Sequence, residues 1–220
     1  MSLQRKKQSP LMNFLIEKQN LLLGIVGAIV LIVVGYFAYN NWIVGPKNKR
    51  AVDHMYQAQF AFDQDSFQMA LNNPGGGGTG FLKIIEKYSG TESANLAHYY
   101  AGVCYLNLGQ FDNAIKYLEK YSAKDPLTGA MKYAALGDAY AEKKQDDKAL
   151  DAYKKAVQTS QDNTTGPYVY KKLAMFQEHM GKWADCQKTW QDLLSKFPKS
   201  GEAITAELNI DRAKFKVSEK

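Results

Sequence analysis

The sequence predicts an all-α chain: a single N-terminal transmembrane helix, then an α-solenoid of helix–turn–helix repeats closed by a C-terminal capping helix. Three observations predict it. No charged residue stands between Lys18 and Lys47, and Leu21 to Ala38 is apolar almost throughout. Beyond that run, small, aromatic and proline residues recur with a period of about 35 residues. Sustained alternation of β-branched residues, the signal of strands, is missing from the sequence. With 45% of its 220 residues hydrophobic and 23% charged, the chain is neither globally disordered nor fibrous. Two cysteines are too few for a disulfide scaffold.

Residues 1–18 read as a short basic cytoplasmic tail. Arg5, Lys6, Lys7 and Lys18 stand there against one acid, Glu17, so half of the +6 net charge precedes residue 19. The body that remains is too weakly basic to trap a phosphate backbone, which excludes nucleic acid as the expected partner. Residues 19–45 form the transmembrane helix. The 18 residues from Leu21 to Ala38 would span about 27 Å, close to the hydrocarbon thickness of a bilayer. Tyr36, Tyr39 and Trp42 gather at the C-terminal end of the run, where amphipathic rings prefer the interface. A cleaved signal peptide fits poorly, because the run is long and ends in bulky residues. The run ends without a cysteine for a bacterial lipid anchor, and Met1-Ser2 lacks the glycine that myristoylation needs. Cations on the N-terminal side slightly outnumber Lys47, Lys49 and Arg50 on the other, which orients the N-terminus to the cytoplasm and translocates the body. Gly24 and Ala28 have the spacing of close helix packing in lipid, although glycine is common in membrane helices. Gly45-Pro46 should break or kink the helix.

The repeat is anchored on Gly102, followed by Tyr105, Ala114, Leu118 and Pro126. The same offsets from Gly137 give Tyr140, Ala149, Tyr153 and Gln161, and from Ala174 give Gln177, Cys186, Trp190 and Pro198. Gly109 and Gly181 close first helices. This pattern resembles the tetratricopeptide repeat (TPR), a helix–turn–helix unit of about 34 residues. It divides the body into units at 92–126, 127–163 and 164–200, with a longer loop from Gln161 to Gly166 before the third. Residues 46–91 read as a degenerate first TPR: one long helix from about Lys49 to Leu71, a glycine-rich loop from Asn72 to Gly80, and a short helix from Phe81 to Tyr88. Residues 201–220 hold an amphipathic helix that should cap the stack, since an open solenoid end leaves an apolar face wet.

Nothing in the chain argues for catalysis, a cofactor, a metal or a small-molecule substrate. Gly75 to Gly80 has the glycine spacing of a phosphate loop, but Phe81-Leu82 stands where that loop needs Lys and Ser or Thr. His54, His98 and His179 fall in different units without a ligand spacing. Cys104 and Cys186 are separated by a whole unit, beyond disulfide reach. Asp146 and Asp147 favour the positive end of the helix they start. Asn163-Thr164-Thr165 is a glycosylation sequon that matters only in a eukaryotic lumen.

Function is therefore expected in a concave partner surface. The resemblance to tetratricopeptide repeats assigns that surface to the first helix of each unit: Leu96, Tyr99, Val103, Leu106 and Asn107; Met131, Ala134, Asp138 and Glu142; Tyr168, Lys171, Met175, Glu178 and His179. Tyr99 and Val103 stand where co-chaperones of that family hold carboxylate-clamping residues, so a chaperone-tail receptor is disfavoured. A groove of Tyr, Leu and Met suits an amphipathic helix or an extended apolar segment. The whole layout, with the segments DSFQMAL and HYYAGVCYLNLGQFDNAIKYLEKY, resembles the ancillary subunit family of the bacterial Sec translocon. That resemblance implies an inner-membrane protein with a periplasmic TPR body. Its implied partners are Sec channel subunits, a membrane-anchored prolyl-isomerase-like chaperone and emerging polypeptide segments. An assembly factor for another envelope complex and an organelle import receptor with a cytosolic body are the competing expectations.

Overall fold

The computed structural model describes residues 18–73, 75–160 and 162–218. The basic tail therefore lies outside the described residues except for Lys18, as do Pro74 and Gln161. The chain divides into a unit ending at Lys47 and a unit beginning at Asn48.

In the first unit, α1 spans Gln19–Tyr39 and buries none of its side chains. Among the described residues, only this helical segment is long and apolar enough to cross a membrane. The break expected at Gly45-Pro46 takes a milder form. Pro46 has no N–H for the preceding turn, and the ladder widens to a π turn over Asn40–Val44, in which the Gly45 N–H donates to the Asn40 carbonyl. Helix α2, Gly45–Asp63, starts there.

In the second unit, α2 buries Ala51, Met55, Ala58 and Ala61. The long helix expected from Lys49 to Leu71 is instead two helices, α2 and α3 (Phe67–Asn72). Asp65 adopts a left-handed conformation, φ 53°, and the Ser66 N–H reaches back to the Ala61 carbonyl at 2.9 Å, as at a glycine-type helix end. The turn returns Phe67 edge-on to Phe62, with ring centroids 5.6 Å apart. The glycine loop leads to α4 (Phe81–Lys87), whose Phe81 ring stacks on Tyr100 at 5.1 Å.

Three helical hairpins follow: α5 (Glu92–Asn107) with α6 (Phe111–Lys120), α7 (Pro126–Glu142) with α8 (Asp146–Thr159), and α9 (Gly166–His179) with α10 (Trp183–Lys196). Side chains fix where the first helices begin. Thr91 accepts from the Ala94 N–H and Asp125 from the Thr128 N–H. In the longer loop before α9, the Asp162 carboxylate accepts from the N–H groups of Thr164 and Thr165, both at 2.7 Å. These bonds satisfy donors that a helix start or turn leaves open.

The first helices end alike. Gly109, Lys144 and Gly181 all have left-handed φ (71°, 58° and 66°), and the next residue's N–H returns to the carbonyl five residues earlier. Glycine adopts that conformation freely, whereas lysine does so at a cost. Lys144→Gly is therefore expected to stabilise the protein by about 1 kcal/mol, read as a higher denaturation midpoint.

Within the hairpins the repeat glycines permit close contact. A Cβ on Gly102 would stand 2.5 Å from Leu118, and one on Gly137 2.5 Å from the Tyr153 ring. The third unit has Ala174 at this place, buried in one cluster with Trp190. The core falls into a large N-terminal cluster from Ala51 to Cys104 and a large C-terminal one from Ala130 to Ala213. Smaller clusters centred on Leu118, Leu136 and Tyr153 lie between them.

The final helix, α11 (Ala206–Ser218), follows a short 3₁₀ turn at Glu202–Thr205 and packs against α10 through Ala206 and Ala213. Its outer side is not polar. Ile204 is 84% exposed, Leu208 73% and Phe215 60%.

Candidate partner-binding surface

The residues assigned to the concave surface differ widely in what they present. Leu96, Tyr99, Val103, Leu106 and Met131 are half-buried. Tyr99, Val103 and Leu106 pack on the small cluster of Leu118, Ala135, Leu136 and Ala152. Burial first, then the hydroxyls of Tyr100, Tyr168 and Tyr121, pushes the Tyr99 hydroxyl up to about 12. Tyr168, on α9 of the third hairpin, is 36% exposed. Asn107, exposed at the end of α5, donates to the Val103 carbonyl at 2.9 Å, while Glu142 is exposed.

Two assignments need correction. Ala134 is only 1% exposed; it fills the C-terminal core with Ala130 and Val169 and offers no surface to a partner. Asp138 is a structural tie between helices. Its two oxygens accept from Lys172 Nζ at 2.8 and 2.9 Å, and Oδ1 also accepts from the Tyr153 hydroxyl at 2.7 Å. One carboxylate thus joins α7, α8 and α9.

Lys171, Met175, Glu178 and His179 do come together, with Trp190 and with Thr205, Leu208, Asn209 and Arg212 from the C-terminal turn and α11. They line a cleft of about 590 Å³. Met175 and Leu208 give it an apolar lining, both more than half exposed. Arg212 donates to Glu178 at 2.6 Å and to Asn209 at 3.0 Å, bracing the side formed by α11. A partner helix or strand could lay apolar side chains between Met175 and Leu208 and meet Lys171 at the edge.

Sequence reasoning missed Lys172, Tyr153, Leu208 and Arg212. A signal for two of them was present: Asp138 and Lys172 are 34 residues apart, and so are Glu178 and Arg212. Opposite charges one repeat apart face each other across neighbouring first helices. A second cleft, about 470 Å³, was also missed. It is floored by Leu136 and Ala152 and edged by Glu119, Lys132, Tyr140 and Lys148. There Lys132 donates to the Tyr121 carbonyl at 2.6 Å, and Tyr140 donates to Glu119 at 2.9 Å.

Reactive groups are muted. Cys104 and Cys186 are free and buried; burial pushes their thiols up to about 12 and about 11, so both are protonated and poorly nucleophilic at neutral pH. Among the described residues, no three His, Cys, Asp or Glu side chains are grouped to hold a metal ion. His98 is half-buried against Tyr117, ring centroids 5.8 Å apart, and burial followed by Lys120 lowers its pKa.

The raised groups set the alkaline limit of the fold. Tyr99, Tyr140 and Cys104 are held near 12 and Cys186 near 11 in the folded chain. In the unfolded chain the thiols release protons near 9 and the phenols near 10. Unfolding therefore releases protons above that range, and the stability these groups contribute is present below pH 9 and lost as pH rises toward 12. The midpoint of urea unfolding should fall steadily from pH 9 to pH 11.

Stacked helical hairpins with small residues at their inner contacts define an α-solenoid, a class that works by presenting surface to other proteins. Tetratricopeptide-repeat family models match residues 81–127, 105–164 and 170–200, and the chain belongs to the tetratricopeptide-repeat family. Two solved structures have the same fold. One is of TPR-like repeats described as from a kinesin light chain of Podosopora anserina, with a TM-score of 0.61 and 12% identity over 79% of this chain and 89% of that one. The other is of MamA protein, with a TM-score of 0.51 and 20% identity over 76% of this chain and 88% of that one. Comparison with curated proteins gives no match.

Proposed function

We propose that this protein is a non-enzymatic, membrane-anchored TPR scaffold that serves as an ancillary subunit of the bacterial Sec translocon. In this reading residues 19–45 cross the inner membrane, the N-terminus is cytoplasmic and the TPR body is periplasmic. The body takes emerging polypeptide segments at its concave surface and passes them to a membrane-anchored prolyl-isomerase-like chaperone. The observation that carries the reading is the combination of a charge-free helix with no buried side chain and a TPR body. The segments DSFQMAL and HYYAGVCYLNLGQFDNAIKYLEKY add the resemblance to the ancillary family. The cleft between α9 and α11, with Met175 and Leu208 open, suits an apolar segment without a fixed sequence.

The test is purification of the natively expressed, tagged protein in a mild detergent, with its companions identified by mass spectrometry. Sec channel subunits together with a membrane-anchored chaperone are expected. A single different partner in stoichiometric amount, with the channel absent, would overturn the translocon role in favour of an assembly scaffold. Protease added to the cytosolic face should leave the body intact; its digestion there would reverse the topology.

A further inference from the structure

Helix α11 keeps the register of the repeat. A step of 37 residues, the step from Gly137 to Ala174, carries Gly166, Val169, Leu173 and Phe176 of α9 onto Ala203, Ala206, Ile210 and Ala213. The first four are buried, as are the three alanines, and Ile210 is half-buried. α11 thus stands as the first helix of a fourth unit. The α9 side chains that meet the second helix of their own hairpin are Tyr170, Ala174 and Gln177. Lys196 donates to the Tyr170 hydroxyl at 2.6 Å, and Thr189 donates to Gln177 at 2.7 Å. The same step turns these three into Glu207, Asp211 and Lys214, all charged and exposed. It turns the surface residues Lys171, Met175 and Glu178 into Leu208, Arg212 and Phe215, also exposed. Leu208 and Phe215 therefore belong to the partner-binding surface, which continues onto α11.

Along α9, Lys171, Met175 and Glu178 follow one another at one-turn intervals. Arg212, held to Glu178 at 2.6 Å, fixes the level of α11 beside them. Leu208, one turn before Arg212, then lies across the cleft from Met175, and Thr205 across from Lys171. Phe215 extends the apolar line by about 10 Å beyond Leu208. Glu178 is engaged by Arg212, whereas Lys171 makes no ion pair among the described residues. We infer that the cleft takes apolar segments that carry a carboxylate where they meet Lys171, and disfavours those that carry a cation there. Such a segment sets one apolar side chain between Met175 and Leu208, a second on Phe215, and its acid one turn before the first. A basic flank would set cation against cation, which complementary interfaces avoid. The inference rests on the use of this cleft by emerging segments proposed above, and names which of them it holds.

The experiment uses the full chain in nanodiscs of zwitterionic lipid, with empty nanodiscs as the blank. Three fluorescent amphipathic peptides of about twelve residues share two leucine anchors and differ in one residue, Glu, Gln or Lys, placed a turn before the first anchor. By anisotropy the Glu peptide is expected to bind about threefold tighter than the Gln peptide and about tenfold tighter than the Lys peptide. Lys171→Glu should reverse that order, an exchange that lost folding cannot produce. Phe215→Ser should weaken all three peptides about fivefold, and Glu207→Gln, on the face turned away from the cleft, should leave them unchanged. Equal affinities on the native chain, binding of none of the three, an order that Lys171→Glu does not alter, or full affinity in Phe215→Ser would each overturn the inference. Binding here is read without any Sec subunit. It therefore survives a failed co-purification with the channel, and its own failure leaves that co-purification standing.

Discussion

Replacing Trp190 by alanine is expected to cost about 4 kcal/mol and to unfold the C-terminal half of the solenoid under mild denaturant. Trp190 is only 2% exposed and among the largest fully buried side chains. It sits on α10 in the cluster that also contains Tyr170 and Ala174 of α9, Leu193 of its own helix, and Ala206 and Ala213 of α11. Its removal opens a cavity among elements that meet through it. Trp190→Phe separates packing from polarity. The indole N–H is buried beside the Cys186 thiol and makes no well-formed hydrogen bond, so the ring that lacks it gives up only a weak sulfur contact. The expected loss is about 1 kcal/mol, measured by chemical denaturation beside the alanine variant. A loss for phenylalanine as large as for alanine would show that the N–H matters more than the volume.

The second large effect concerns Gly80, which precedes α4 and has an ordinary extended backbone, φ −72° and ψ 165°. Its glycine is required by space alone. A Cβ there would press on the Leu71 carbonyl oxygen and stand 2.6 Å from both the carbonyl carbon and the nitrogen of Asn72. These are backbone atoms at the end of α3, so relief requires moving the helix. Gly80→Ala should destabilise the protein by about 3 kcal/mol. Gly77→Ala is the control. Gly77 has positive φ, 77°, but nothing within 4 Å of a Cβ, so its substitution should cost only about 1 kcal/mol. Thermal unfolding of both variants checks the ranking, which reverses if loop conformation, rather than close approach, sets the need for glycine.

The hairpins were legible because their packing is written in residue size. Gly102 and Gly137 recur at one place, and Leu118 and Tyr153 are the groups that press on them. The helix break at Asp65 was not legible, since aspartate carries no clear sign that it will take the left-handed turn that glycine takes at 109 and 181. The same holds for Lys144. Pro46 gave the right position but the wrong consequence: the backbone absorbs its missing N–H by widening one turn. Within the binding surface, periodicity selected the correct helices and blurred the individual residues. Ala134 shares a register with Tyr99 and Lys171 but is too short to emerge from the core. Asp138 looked like a free acid because its cation lies one whole period away, at Lys172.

The division of the core into two large clusters, bridged mainly by the small group around Leu118 and Leu136, has a consequence for how the body opens with time. A repeat stack unfolds through its weakest junction rather than all at once. The Asp138–Lys172–Tyr153 tie binds the second and third hairpins together, whereas the first and second are linked by more exposed pairs such as Lys143–Asp112. Amide protons of α7 to α10 should therefore exchange with deuterium as one slow group. Those of α2 to α6 should form a second group with its own lifetime, and a boundary in exchange rate should fall between α6 and α7.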